Sequence, residues 1–192
     1  MINFINNYIS ELQQTIARLP TSEIENVIKA VLDARARDAQ IFVIGNGGSA
    51  ATASHLAVDM GKGASLQSHK RFRVLSLTDN TPWLTALGND ISYDDVFVEQ
   101  LKNYARRGDL LLAISASGNS ENILRAVRYA NQVGCQTIGL AGFAGGKLKA
   151  EAERCLVVAS DHMGRIEDGH LIVQHILNYY LMSLQETMND ER

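Results

Sequence analysis

The chain has 192 residues, 46% hydrophobic and 20% charged, with a formal net charge of −3. That balance suits one soluble globular domain with a sizeable core and excludes the basic footprint of a nucleic-acid-binding protein. No apolar run approaches the ~20 residues of a membrane helix, and MINFINNYIS has neither the basic flank nor the continuous apolar centre of a signal peptide, so a cytoplasmic protein is expected.

Phe4, Ile5, Tyr8, Ile9, Leu12, Ile16 and Leu19 recur at helical spacing and predict an amphipathic helix over 2–19, stopped by Pro20. Ser22 followed by Glu25 is a capping-box pattern, opening a second helix to about Arg37. This helical part, residues 1–38, precedes any strand, so it covers either the core or a partner subunit. Residues 40–45 (QIFVIG) read as the first buried strand, followed by the turn Asn46-Gly47-Gly48-Ser49 and a helix to about Met60. Residues 62–71, with Lys62, His69, Lys70 and Arg71, read as a loop, and 72–77 (FRVLSL) as a strand. A helical stretch from Asp79 to Leu87 ends at the turn signal Gly88-Asn89-Asp90, and another helix runs from about Ser92 to Tyr104.

Strand 110–114 leads through Ser115-Ala116-Ser117-Gly118-Asn119-Ser120 into a helix over 120–133, with Gly134 as its C-cap. Then come strand 136–140, a glycine-rich turn with a short helix at 145–153, strand 155–159, and a final helix from near Arg165 to about Met188. Nearly all-apolar strands alternating with helices fit a parallel sheet of about five strands covered on both faces. The reading is a single α/β domain over 1–192. Cys135 and Cys155 sit in short β-like runs without motif spacing and read as buried thiols.

Two βα turns have the composition of ligand loops. The first N–H groups of a helix lack internal partners and the helix dipole favours an anion there, so Ser115, Ser117 and Ser120 suit a phosphate; an ordinary turn with Ser120 as N-cap suits the same residues. In Asn46-Gly47-Gly48-Ser49 the glycines admit a ligand close to the backbone, and Ser49 suits a cap. This turn lacks both the P-loop spacing and the full dinucleotide fingerprint, so no nucleotide cofactor is expected. Two such loops at carboxyl ends of parallel strands mark the edge where open α/β sheets bind ligands.

His55 and Asp59, four apart, share a helix face that fits a metal, proton transfer or a solvated stripe. Asn89 and Asp90 suit hydroxyl groups or simple turn chemistry. The last helix opens with Arg165, Glu167, Asp168 and His170, whose acids suit the helix dipole. His175 lies among Val173, Ile176 and Leu177, as a core histidine or an acid/base group beside a substrate.

Together, GNGGSAATASHLA (45–57), GND (88–90), SASGNS (115–120) and RIEDGHLIVQHIL (165–177) resemble the SIS, or sugar isomerase, domain family, nearest its phosphoheptose isomerase branch. The resemblance implies a three-layer, flavodoxin-like sandwich on a five-stranded parallel sheet, with added N-terminal helices. It implies aldose–ketose isomerisation of a phosphosugar, sedoheptulose 7-phosphate to a glycero-manno-heptose 7-phosphate. By the same resemblance, Ser115, Ala116, Ser117 and Ser120 hold the phosphate. Asn46, Gly47, Gly48, Ser49, Asn89, Asp90 and Glu167 contact substrate, and Asp59 and His175 carry proton transfer. In zinc-containing members the positions of His55, Asp59, Glu167 and His175 ligate the metal. The resemblance also implies a homotetramer.

Asp59 replaces the branch's Glu, Glu167 its Gln, and Ala116 its usual Thr, while GKGASL after Asp59 lacks its Gly-Arg-Tyr. A second branch, non-catalytic regulators that bind the replication initiator DnaA, resembles the chain in GNGxSAA and the serine loop; Asp59 and His175 favour the enzyme. Glu167 and His175 on one straight helix would lie ~12 Å apart along its axis, too far for one ion with ~2 Å bonds. Either the helix starts after Glu167, or the two residues serve different sites, each completed by a neighbouring subunit.

Overall fold

A computed structural model of the chain describes residues 1–66, 68 and 70–190, with side-chain surroundings through Leu184. His69, expected in a loop, lies outside the described residues. The elements are α1 (Ile2–Ala17), α2 (Thr21–Ala36), β1 (Gln40–Gly45), α3 (Gly48–Val58), β2 (Arg73–Ser76), α4 (Thr81–Asp90), α5 (Val98–Tyr104), β3 (Leu110–Ser115), α6 (Glu121–Val133), β4 (Gln136–Gly142), α7 (Leu148–Glu151), β5 (Arg154–Val158) and α8 (Met163–Asp190). A π-helical turn, Asp59–Gly63, extends α3, and a 3₁₀ turn, Tyr93–Asp95, precedes α5.

The five strands are all parallel, in the order β2-β1-β3-β4-β5. Alternate residues of each strand face opposite layers. Ile41, Val43, Leu110, Leu112, Ile114, Ile138 and Leu140 pack with apolar residues of α2, α3 and α8. Phe42, Ile44, Leu111, Ala113 and Ala141 pack with those of α5, α6 and α7. Burial on both faces explains why the strands read as continuous apolar runs. In this strand order the direction of winding reverses between β1 and β3, and the loops leaving those two strands open a crevice there.

The two leading helices divide their roles. Ile24, Val27, Ala30, Val31 and Ala34 of α2 are buried in the core, whereas α1 buries only Thr15. Phe4 on α1 is 75% exposed, with Ile5 and Ile9 also exposed. Polar contacts tie α1 to the start of α8: Tyr8 Oη donates to Asp168 Oδ2 at 2.9 Å, and Arg165 pairs with Glu11. This docking accounts for two of the polar residues that crowd the start of α8.

Several local expectations are corrected. Helix α2 starts at Thr21 with Pro20 as its N-cap, so Ser22 lies inside the first turn and makes no capping box. Helix α4 runs through Gly88-Asn89-Asp90, because Asn80 caps its start by accepting Trp83 N–H and the breaker residues are absorbed in its last turn. The predicted helix over 92–104 is the 3₁₀ turn plus α5. Cys135 is buried but Cys155 only partly so; burial pushes both thiols up to about 11.

Candidate active site

The crevice between the β1 and β3 loops is a cleft of ≈ 290 Å³. It is lined by Asn46, Gly47, Gly48 and Ser49 from one loop, Ser115, Ala116, Ser117 and Ser120 from the other, and Glu167 from α8. Ile114 and Met163 complete the lining, and neither stood out in the sequence. No Lys or Arg lines this cleft among the described residues. An anion here therefore relies on hydroxyls, backbone N–H groups and the positive end of α6.

The serine loop is held rigidly from outside. Gly118 takes φ +65°, and a Cβ on it would lie 2.2 Å from the carbonyl oxygen of Gly145, so only glycine fits. Gly118 O accepts from Leu148 N–H, Asn119 Oδ1 from Lys147 N–H, and Ala116 O from Gly142 N–H. Ser120 is the N-cap residue of α6, but through its carbonyl, which accepts from Ile123 and Leu124; its side chain makes no capping bond. On the other side, Gly47 is the N-cap of α3, and Ser49 is buried in the first turn without the expected capping role.

Asn46 is braced by two residues the sequence did not single out. Its amide and that of buried Asn122 exchange hydrogen bonds of 2.9 Å, and Tyr93 Oη donates to Asn46 Oδ1 at 3.0 Å. The only sequence signal for Asn122 was an amide in the first turn of a helix at a ligand loop. Glu167 lies directly against Gly48, where an added Cβ would come within 2.9 Å of its carboxylate. Asn89 and Asp90 do not join the cleft lining; they are exposed at the end of α4 and hydrogen-bonded to each other.

A second constellation lies farther along α3 and α8. Potential ligand atoms of His55, Asp59 and His175 all fall within 4.8 Å of one another. His55 Nε2 is 3.3 Å from Asp59 Oδ2, and the rings of His55 and His175 meet edge-on with centroids 5.2 Å apart. Asp59 opens the π-helical turn, closed by Ala64 N–H donating to Asp59 O at 2.8 Å. Such single-turn irregularities often sit at functional sites. Gln174, also not singled out from the sequence, donates from Nε2 to Asp59 Oδ2 at 3.2 Å. Two imidazoles and a carboxylate form a donor set suited to zinc or a similar divalent ion, with a position left open for another ligand.

Glu167, the fourth expected metal ligand, is not in this cluster within one chain. Helix α8 begins at Met163 and carries both Glu167 and His175, which removes the alternative that the helix starts after Glu167. The remaining polar residue, His170, is buried: its ring Nε2 is 3.1 Å from Ala141 O, and burial lowers its pKa to about 4. It is a neutral core histidine.

The SIS domain model matches residues 4–142. The chain is 37% identical to a phosphoheptose isomerase of Akkermansia muciniphila over 179 residues, covering 92% of this chain and 94% of that one. It is 35% identical to a probable phosphoheptose isomerase of Thermoplasma acidophilum over 170 residues, 88% and 93% of the two chains. The fold is similar to that of phosphoheptose isomerase GmhA from Neisseria gonorrhoeae, with TM-score 0.86 and 30% identity over 94% of this chain and 98% of that chain. A phosphoheptose isomerase from Francisella tularensis gives TM-score 0.88 at 28% identity, over 95% and 98%.

Proposed function

This chain belongs to the SIS domain family, within its phosphoheptose isomerase branch, and from that membership we propose that it interconverts sedoheptulose 7-phosphate and a glycero-manno-heptose 7-phosphate through an enediol. The observation that carries the reading is the pairing of a serine-lined cleft at the N-terminus of α6, without Lys or Arg among the described residues, with a carboxylate–imidazole cluster on α3 and α8. The reaction moves a proton between neighbouring carbons and another between their oxygens. It needs a base, an acid and a fixed substrate. Asp59 and His175 supply the proton-transfer pair, and Ser115, Ser117 and Ser120 fix the phosphate. His55, Asp59 and His175 would hold a divalent ion, which when bound would polarise the carbonyl oxygen.

The cleft and the cluster of one chain do not share a substrate in this reading. Asp59 lies eleven residues along the helical path from Gly48, ~16 Å at 1.5 Å per residue, and His175 lies ~12 Å beyond Glu167. An extended heptose spans only ~10 Å from C1 to phosphorus at ordinary bond lengths. Each site is completed when the cluster of one subunit meets the cleft of another, in a homotetramer. Ile176, Tyr179 and Tyr180, beside His175, are 42%, 69% and 45% exposed and supply an apolar face for that contact, as do the uncovered residues of α1.

Turnover of sedoheptulose 7-phosphate, assayed with and without zinc and beside light scattering, tests the proposal. The wild type turns over as an oligomer, while folded Asp59→Asn and His175→Asn variants do not. A fully active monomer would rule out the shared site, and an inactive wild type would rule out the substrate.

A further inference from the structure

We propose that Gln174 is a positioning residue that locks the carboxylate of Asp59 in the orientation used for proton transfer. The inference rests on the role given to Asp59 above. Gln174 is 1% exposed, yet its Nε2 reaches from α8 to Asp59 Oδ2 across 3.2 Å. The same oxygen lies 3.3 Å from His55 Nε2, and the Gln174 bond holds Oδ2 so that Oδ1 is left for the reacting atoms. The direction of the Gln174 bond follows from chemistry: an ionised carboxylate only accepts, so the NH₂ end of the amide must face it.

The buried amide gains little from the rest of its surroundings. Gln174 Oε1 is buried without a hydrogen-bond partner among the described residues, a costly arrangement for a side chain that served packing alone. His170 and Asn178, four residues to either side on the same face of α8, are also buried polar groups, but among the described residues Gln174 is the one of the three that bonds Asp59. Asp59 needs such a hold. It sits where α3 gives way to the wider π turn, so its backbone is not fixed by regular helix geometry on both sides. A side chain reaching from the neighbouring helix supplies the missing constraint.

The test measures kcat, KM and thermal midpoint for Gln174→Leu and Gln174→Met, which keep the bulk and remove the donor, with Asp59→Asn alongside. A ~1 Å error in placing a reacting group costs up to about 100-fold, so kcat should fall roughly 10- to 100-fold. KM should stay within about twofold, because the phosphate is held elsewhere, and the thermal midpoint should hold or rise. A length exchange provides the second readout: Asp59→Glu and Gln174→Asn each lower kcat alone. Combined, they restore the summed reach and recover at least about tenfold over the weaker single variant. If Asp59→Asn is inactive while both Gln174 variants keep wild-type kcat, or if the combined variant shows no recovery, positioning by Gln174 is overturned and the role of Asp59 stands. If Asp59→Asn retains turnover, the role of Asp59 fails and that of Gln174 fails with it.

Discussion

Acidification should destabilise this protein through one identifiable side chain. His170 is buried at 1% exposure, and burial lowers its pKa to about 4, from ~6.5 for a free imidazole. Between those values the unfolded chain binds a proton that the folded chain refuses, so stability rises with pH across the window and is lost as pH falls through it. Integrating over that interval gives a loss of about 2 kcal/mol between pH 7.5 and 5, and about 3 kcal/mol by pH 4. Urea unfolding at fixed protomer concentration measures it, with His170→Leu run in parallel. Other groups titrate in both proteins, so the difference between the two pH profiles isolates His170. The variant's absolute stability can move either way, since Ala141 O loses a partner while an unpaired buried Nδ1 is removed. Only the slope bears on the reasoning. If wild type and variant lose stability in parallel from pH 7.5 to 5, His170 is not held neutral by burial.

Three further outcomes follow from the cleft and the assembly. Gly118→Ala meets both a positive φ and a carbonyl oxygen 2.2 Å from the new Cβ. It should cost more than ~2 kcal/mol in urea unfolding and raise KM for sugar phosphate; wild-type values for both would mean the serine loop can shift freely. Glu167→Gln removes a negative charge from a cleft without cations and should lower KM by about fivefold, from roughly 1 kcal/mol of relieved repulsion; an unchanged or higher KM would contradict this. Co-assembling Asp59→Asn with Ser117→Asp, each inactive alone, should restore roughly a quarter of wild-type activity if subunits mix at random. A mixture that stays inactive would place cleft and cluster of one chain in one site.

The sheet was legible because its strands are buried on both faces, leaving short apolar runs that helices could not match in length. The two βα loops that line the cleft were legible for a related reason: each is a run of small polar residues between an apolar strand and a helix, at the edge where such sheets open a crevice. Helix boundaries were harder. Gly88-Asn89-Asp90 reads as a stop, yet a well-capped start at Asn80 and Pro82 carries α4 through it. Ser22 loses its capping position to Pro20, whose extended backbone already starts α2 two residues earlier.

In the site, the supports were less legible than the groups they hold. Asn122 and Tyr93 brace Asn46 across 76 and 47 residues of sequence, and Gln174 reaches Asp59 across 115. No local spacing encodes such contacts. The separation of Glu167 from His175, by contrast, followed from helix rise alone once α8 proved continuous.

The central claim is proton transfer by Asp59 and His175 on a heptose phosphate. Its most direct test is isomerisation of sedoheptulose 7-phosphate in D₂O, with the product read by NMR. The account predicts aldose product from the wild type, carrying solvent deuterium at C2 to the extent that the abstracted proton exchanges before delivery, and neither product nor exchange from folded Asp59→Asn or His175→Asn. Undiminished product formation or exchange in either variant would contradict it.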